Sequence, residues 1–143
     1  MSIQIKDFNF ETTSNINKVL LIGEENKELQ KNVFPISTTN IKKLLENNKI
    51  SVGYNCDESS ICYEDNRAIE YIIPIMYIST QVQILLPIVI NLISNYLYDL
   101  FKGRENNNVS FRLVIKEKSK MIEYEGPISG MKEITNIIKD KLK

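Results

Sequence analysis

This chain lacks histidine, the residue that most hydrolases use for acid and base chemistry. The sequence of 143 residues contains no histidine, which excludes a Ser-His-Asp triad, a Cys-His dyad and a histidine-based zinc site. Its five glycines form neither the GxGxxG nor the GxxxxGK[ST] pattern, so the sequence gives no basis for dinucleotide binding or a phosphate-binding loop. We therefore assign no catalytic residue and expect no cofactor.

Acidic side chains are concentrated between residues 57 and 70. Asp57, Glu58, Glu64, Asp65 and Glu70 carry the oxygen ligands that Mg²⁺ and Ca²⁺ prefer, but they lack the spacing of a calcium-binding loop. Two interpretations stay open. The first, which the sequence favours, is a solvated and charge-rich hairpin turn. The second is the site of a metal-dependent or small-ligand enzyme. No metal ligand is assigned.

The two cysteines, Cys56 and Cys62, cannot form an ordinary four-ligand zinc site by themselves. The first ten residues lack the basic flank and the apolar run of a secretion signal. We therefore expect a cytoplasmic protein in which both thiols are reduced.

The charge balance argues against nucleic acid as a partner. Eighteen basic and eighteen acidic residues cancel to a formal net charge of zero. Such a chain has no large positive field to attract a phosphate backbone or an anionic membrane surface. The expected partner is therefore protein.

The longest uncharged stretch of the chain runs from residue 71 to residue 98. About 20 apolar residues suffice to span a bilayer, so a membrane-associated protein is one alternative. Pro74, Pro87 and the polar run 79–83 argue against a span, as does the lack of a Lys/Arg cluster at one end. We favour burial in a protein core.

This stretch divides into a strand followed by a helix. Alternation of apolar and polar residues after Ile75 favours a strand, and the apolar residues of 85–100 recur at helical spacing. We predict a helix start between Val82 and Pro87. Whether residues 81–86 are strand or helix stays open.

The predicted helix carries more apolar surface than one neighbouring sheet can cover. Its first turns are apolar on nearly every side. This surplus predicts an interface between copies of the chain, and thus a homo-oligomer. The candidate interface residues are Ile84, Ile88, Leu92, Tyr96 and Leu100.

Short strands and one helix are predicted in residues 1–68. The apolar run Val19–Ile22 is typical of a strand buried on both faces. Ser37 is one of three candidate N-caps for a helix that ends at 47–48. Alternation over 50–56, followed by the short apolar segment 61–63, predicts a hairpin.

The part after residue 103 has the clearest pattern. Apolar residues alternate from Val109 to Ile115 with Val114 as an exception, and 121–125 returns as the partner strand. Ser129 is a candidate cap for a last helix. Residues 69–143 thus read β-α-β-β-α. We predict one α+β domain, 1–143, with a mixed or antiparallel sheet and two or three helices packed mainly on one face.

These observations favour a small non-enzymatic protein-protein interaction or regulatory module that self-associates through the apolar helix. An accessory or regulatory protein of a bacterium fits the profile. The alternatives are an enzyme that uses the acidic hairpin and a membrane-associated accessory protein. A fold of this class does not by itself choose among them.

Overall fold

The chain folds into a mixed sheet of seven strands and a smaller sheet of three strands. The computed structural model describes residues 2–7, 18–64, 71–78, 82–102, 108–115, 120–131 and 133–136. The strands are β1 (Ser2–Asp7), β2 (Val19–Ile22), β3 (Glu24–Asn26), β4 (Lys31–Pro35), β5 (Val52–Tyr54), β6 (Ile61–Glu64), β7 (Tyr71–Ile72), β8 (Ile75–Ile78), β9 (Asn108–Ile115) and β10 (Lys120–Pro127). The helices are α1 (Thr38–Asn47) and α2 (Val82–Leu100), and residues 133–136 are also helical. The predicted α+β class is confirmed.

The large sheet has the order β1-β10-β9-β8-β2-β5, and the two-residue strand β7 also pairs with β9. β2 runs parallel to β5 and antiparallel to β8, β8 runs parallel to β9, and β10 is antiparallel to both β9 and β1. The small sheet has the order β3-β4-β6. Both sheets are therefore mixed, and β1 is an edge strand of the large sheet.

Alternate side chains of the large sheet face the helices. Four side chains on adjacent strands are register neighbours: Leu21, Met76, Leu113 and Ile122. All four belong to the main buried cluster. The helices supply the other half of that cluster with Ile41, Leu45, Val89, Ile93 and Leu97. The helical spacing of these residues explains why α1 and α2 pack on this face.

The opposite face of the large sheet is also partly buried. Val114 forms a second cluster with Ile22, Ile75 and Met121, and Tyr77 packs against it. Val114 interrupts the sequence alternation of β9 because both faces of the sheet exclude water at this position. The exception in the sequence pattern therefore has a structural reason.

The predicted hairpin of residues 50–63 is wrong. β5 pairs in parallel with β2, whereas β6 pairs in parallel with β4 of the small sheet. A 3-10 turn at Glu58–Ser60 lies between β5 and β6. The chain from β2 through α1 to β5 is a parallel crossover, which brings β5 next to β2 instead of next to its successor in sequence.

The open question at residues 81–86 is answered for 82–86, which are helical because α2 begins at Val82, whereas Gln81 lies outside the described residues. This agrees with the predicted start, and the last residue of β8 is Ile78. Pro87 lies inside the helix. The predicted cap Ser129 instead lies within the 3-10 turn Ile128–Gly130.

α1 begins and ends close to the predicted positions. Its N-cap is Ser37 and its C-cap is Asn48. The next residue, Lys49, has φ 64, and its N–H donates to Glu46 O while the N–H of Ile50 donates to Leu45 O. This pair of bonds is the Schellman motif, which satisfies the last carbonyls of a helix.

Candidate functional site

The five predicted interface residues form a row along α2 at a spacing of four, which we call the α2 ridge. Ile84, Ile88 and Leu100 are 61%, 44% and 46% exposed. Leu92 and Tyr96 are half-buried and pack against the main core. Successive members of such a row are rotated by about 40° around the helix axis, so Ile84 and Leu100 point about 160° apart and are exposed on different sides of α2.

The exposed side of α2 is uncharged over most of its length. No charged residue occurs between Val82 and Tyr98. The exposed polar residues beside the ridge are Asn91 and Asn95, and the first carboxylate is Asp99. Covering this surface would therefore desolvate no ionised group before the last turn, which removes the largest cost of burying a helix face.

The carboxyl end of α2 is held by an aromatic and hydroxyl network. The rings of Tyr71 and Phe101 meet edge to face with centroids 5.4 Å apart. Burial, followed by the interaction with the nearby Tyr96, raises the pKa of the Tyr71 hydroxyl to about 12. Ser37 Oγ donates to the carbonyl of Ile72. These contacts fix the part of α2 that carries Tyr96.

The acidic hairpin of the sequence analysis does not assemble into a metal site within the described ranges. No group of three or more Cys, Asp or Glu side chains converges there. Asp57 precedes the 3-10 turn, where its carbonyl accepts the N–H and the hydroxyl of Ser60. Glu64 lies at the end of β6, so the turn separates these two carboxylates. Asp65 and Glu70 lie outside the described residues.

Cys56 and Cys62 are free thiols that are half-buried. Burial raises the pKa of Cys56, and Asp57 and Glu58 add to the rise. A raised pKa disfavours the nucleophilic thiolate. The Cys56 thiol is therefore not activated as a nucleophile.

A cleft of about 320 Å³ lies between the two sheets. The cleft is lined by Ile22, Glu24, Val33, Phe34, Pro35, Glu64, Ile72, Ile75 and Arg112. The strand register explains this set: Glu24 is opposite Val33, and Glu64 is opposite Pro35 on the small sheet. Sequence reasoning missed this cleft because its residues come from segments as far apart as β2 and β9.

Arg112 is the basic residue of the cleft. Its Nη1 donates to Glu24 Oε1 at 2.6 Å, and its Nε is buried with no acceptor among the described residues. Its register neighbour on β10 is Glu123, which pairs with Lys6 at 2.9 Å. The carboxylate of Glu64 has no hydrogen bond or ion pair within the part of the chain that the structure describes. The cleft thus contains two carboxylates and one guanidinium.

Two aromatic contacts hold the small sheet against the large one. The rings of Phe34 and Tyr54 meet edge to face at 5.1 Å, and the hydroxyls of Tyr54 and Tyr63 lie 2.8 Å apart. Burial raises the pKa of Tyr54, and its hydrogen bond with Tyr63 contributes to the rise. These contacts fix β4 and β6 relative to β5 of the large sheet.

Two further findings bear on function. Among the described helices, none is long and apolar enough to cross a membrane. Comparison with known proteins gives no match to a family model, to a curated protein or to a solved structure. The function of this chain must therefore be inferred from the α2 ridge and the cleft.

Proposed function

We propose that this chain is a non-enzymatic interaction module that associates with a second copy of itself through the α2 ridge. The observation that carries the proposal is the exposure of Ile84 and Ile88, one turn apart, on a helix with no charge before Asp99. Isolated exposed apolar residues are common on protein surfaces, whereas neighbouring ones that form a contiguous patch mark contact surfaces.

A second copy is the partner we propose because an uncharged apolar surface is complementary to itself and carries no charge that would select a different partner. Successive residues of the ridge are rotated by about 40° around the helix axis, so Ile84 and Leu100 point about 160° apart. A two-fold axis beside Ile88 therefore sets Ile84 and Ile88 of each copy against those of its partner, and Leu100 lies outside that contact. The formal net charge of zero means that two copies do not repel each other strongly.

The size of the ridge predicts a weak association. The 16 residue steps from Ile84 to Leu100 extend about 24 Å along the helix. With a width of about 10 Å, the ridge covers at most roughly 250 Å² of surface per copy. Stable interfaces bury about 800 Å² per partner. A dimer formed by α2 alone is therefore expected to be concentration-dependent, and a tighter dimer requires contacts from α1, which packs beside α2.

Light scattering from about 1 μM to about 1 mM protein tests this proposal over the range of weak affinities. The wild-type molar mass should rise from monomer towards dimer, and the double variant Ile84→Lys, Ile88→Lys should remain monomeric. The matched control is Leu29→Lys, because Leu29 is also 61% exposed but lies in the turn between β3 and β4. A wild-type monomer at every concentration, or equal disruption by Leu29→Lys, would overturn the proposal.

A further inference from the structure

We infer that the cleft between the two sheets binds a small zwitterion with an apolar body, of the α-amino acid class. This inference is independent of self-association, because the cleft residues belong to the sheets and none belongs to α2. The argument rests on the volume of the cleft, on its apolar walls and on its three ionisable side chains.

The walls of the cleft fit an aliphatic body. Ile22 and Ile75 are register neighbours on β2 and β8, and Ile72 lies just before β8 in the chain. Val33 and Pro35 face them from the small sheet. A volume of about 320 Å³ lies at the lower end of the range for ligand pockets. The cleft is therefore large enough for a molecule of amino-acid size.

The guanidinium of Arg112 provides the contact for a carboxylate. A guanidinium has five N–H donors, and the described residues supply an acceptor at Nη1 alone, with Nε left unpaired. About 20% of the Arg112 side chain remains accessible. A ligand carboxylate beside Arg112 would add the second acceptor that a guanidinium fork is shaped to bind.

The carboxylate of Glu64 provides the contact for an ammonium group. It is exposed and has no ion pair among the described residues, whereas Glu24 is already paired with Arg112. Glu24 and Glu64 together outnumber Arg112, so a ligand that carries only negative charge is disfavoured. A ligand that carries only positive charge is disfavoured beside the Arg112 guanidinium, because like charges repel. A zwitterion satisfies both groups.

Three probes separate the contribution of the ligand carboxylate from that of its ammonium group. They are L-leucine, leucinamide (which lacks the carboxylate) and N-acetyl-leucine (which lacks the ammonium group). Titrations followed by amide chemical shifts should show leucine binding at least about tenfold more tightly than either analogue, a difference worth one charged contact. The shifts should centre on Ile22, Ile75 and Arg112. Equal binding of leucinamide, equal binding of N-acetyl-leucine, no binding of leucine, or shifts confined to α2 would each overturn the inference.

The variant Glu64→Gln should weaken leucine binding by at least about tenfold. Glu64 is exposed, so this substitution is not expected to unfold the protein, and a urea titration checks that. The matched control is Glu25→Gln, since Glu25 is an exposed carboxylate on the opposite face of the small sheet and lines no part of the cleft. Loss of leucine binding in both variants, or in neither, would contradict the assignment of Glu64.

Discussion

Nη1 of Arg112 lies 2.6 Å from Oε1 of Glu24, although 88 positions separate the two residues in the sequence. Arg112 belongs to β9 of the large sheet and Glu24 to β3 of the small sheet. The ion pair therefore joins the two sheets across the cleft. Its members differ in environment, because the Arg112 side chain is 20% exposed and that of Glu24 is 66% exposed.

The first prediction concerns the strength of this ion pair. Glu24→Gln should lower the free energy of unfolding by less than about 1 kcal/mol, because one partner is largely solvated. The loss should shrink at high salt. Urea unfolding at two salt concentrations measures both effects, with Glu25→Gln as the unpaired control on the same strand. A loss above about 3 kcal/mol would indicate that the pair behaves as a buried one.

The second prediction concerns the close packing of Gly23 beneath Phe34. A Cβ on residue 23 would lie 2.8 Å from Cε2 and 2.9 Å from Cζ of the Phe34 ring, and Phe34 is completely buried. Gly23→Ala should therefore destabilise the protein by about 1–3 kcal/mol through overpacking.

A double-mutant cycle identifies the cause of that loss. In a Phe34→Leu background the same Gly23→Ala change should cost less, because the smaller side chain leaves room for the methyl group. Urea midpoints of the four proteins give the coupling energy. Equal costs in the two backgrounds would show that the ring is not what excludes a side chain at residue 23.

How much of this fold the sequence predicts depends on how local each signal is. The strands β9 and β10 and a start of α2 between Val82 and Pro87 follow from patterns within a few residues, and the structure confirms them. Local patterns also locate β5 and β6 correctly. It does not name their partners, which are β2 and β4. Parallel pairing depends on crossover connections, so a pattern within one segment cannot specify it.

The environment of a cleft residue also depends on how the strands are arranged, which the sequence around that residue does not specify. Arg112 reads in the sequence as the polar member of an alternating strand, a position that usually faces water. In the structure that side of β9 faces the small sheet, and Arg112 contacts Glu24 there. The α2 ridge was accessible to sequence reasoning because its five residues lie on one helix, whereas the cleft requires the arrangement of two sheets.

The third prediction concerns the end of α1. Lys49 has φ 64, a conformation that costs an ordinary residue about 1 kcal/mol or more and glycine almost nothing. Lys49→Gly should therefore raise the free energy of unfolding by roughly 0.5 kcal/mol after the greater entropy of glycine in the unfolded chain is included. Lys43→Gly, at an exposed position inside α1, should lower it by about 1 kcal/mol. Thermal unfolding that gives both changes the same sign would contradict this explanation.

The fourth prediction concerns alkaline pH. Burial and the neighbouring Tyr96 raise the pKa of Tyr71 from 10.0 to about 12. Above pH 10 the unfolded chain releases this proton first, so the free energy of unfolding falls until the folded phenol ionises near pH 12. The stabilisation is complete below pH 10 and is lost across that window. Its slope must be less than about 1.4 kcal/mol per pH unit, since one proton is involved and Tyr71 is only half-buried.

Tyr71→Phe isolates this contribution. The variant should be less stable by up to about 1 kcal/mol at neutral pH, because the polar contacts of the Tyr71 hydroxyl near Ser37 and Tyr96 are lost. The difference between wild type and variant should then narrow as the pH rises above 10. Urea unfolding at neutral and alkaline pH measures it. A constant difference would show that Tyr71 titrates alike in the folded and unfolded states.

The fifth prediction compares two buried serines. Ser94, in α2, has an Oγ without a hydrogen-bond partner among the described residues, whereas Ser37 Oγ donates to the carbonyl of Ile72. Ser94→Ala removes a desolvated hydroxyl and adds helix propensity, so the free energy of unfolding should rise by about 1 kcal/mol. Ser37→Ala leaves the Ile72 carbonyl without its donor and should lower it by about 1–2 kcal/mol. Urea midpoints give the two signs. Destabilisation by both substitutions would mean that the Ser94 hydroxyl has an acceptor in solution, the simplest being the carbonyl of Ile90 one turn earlier in α2.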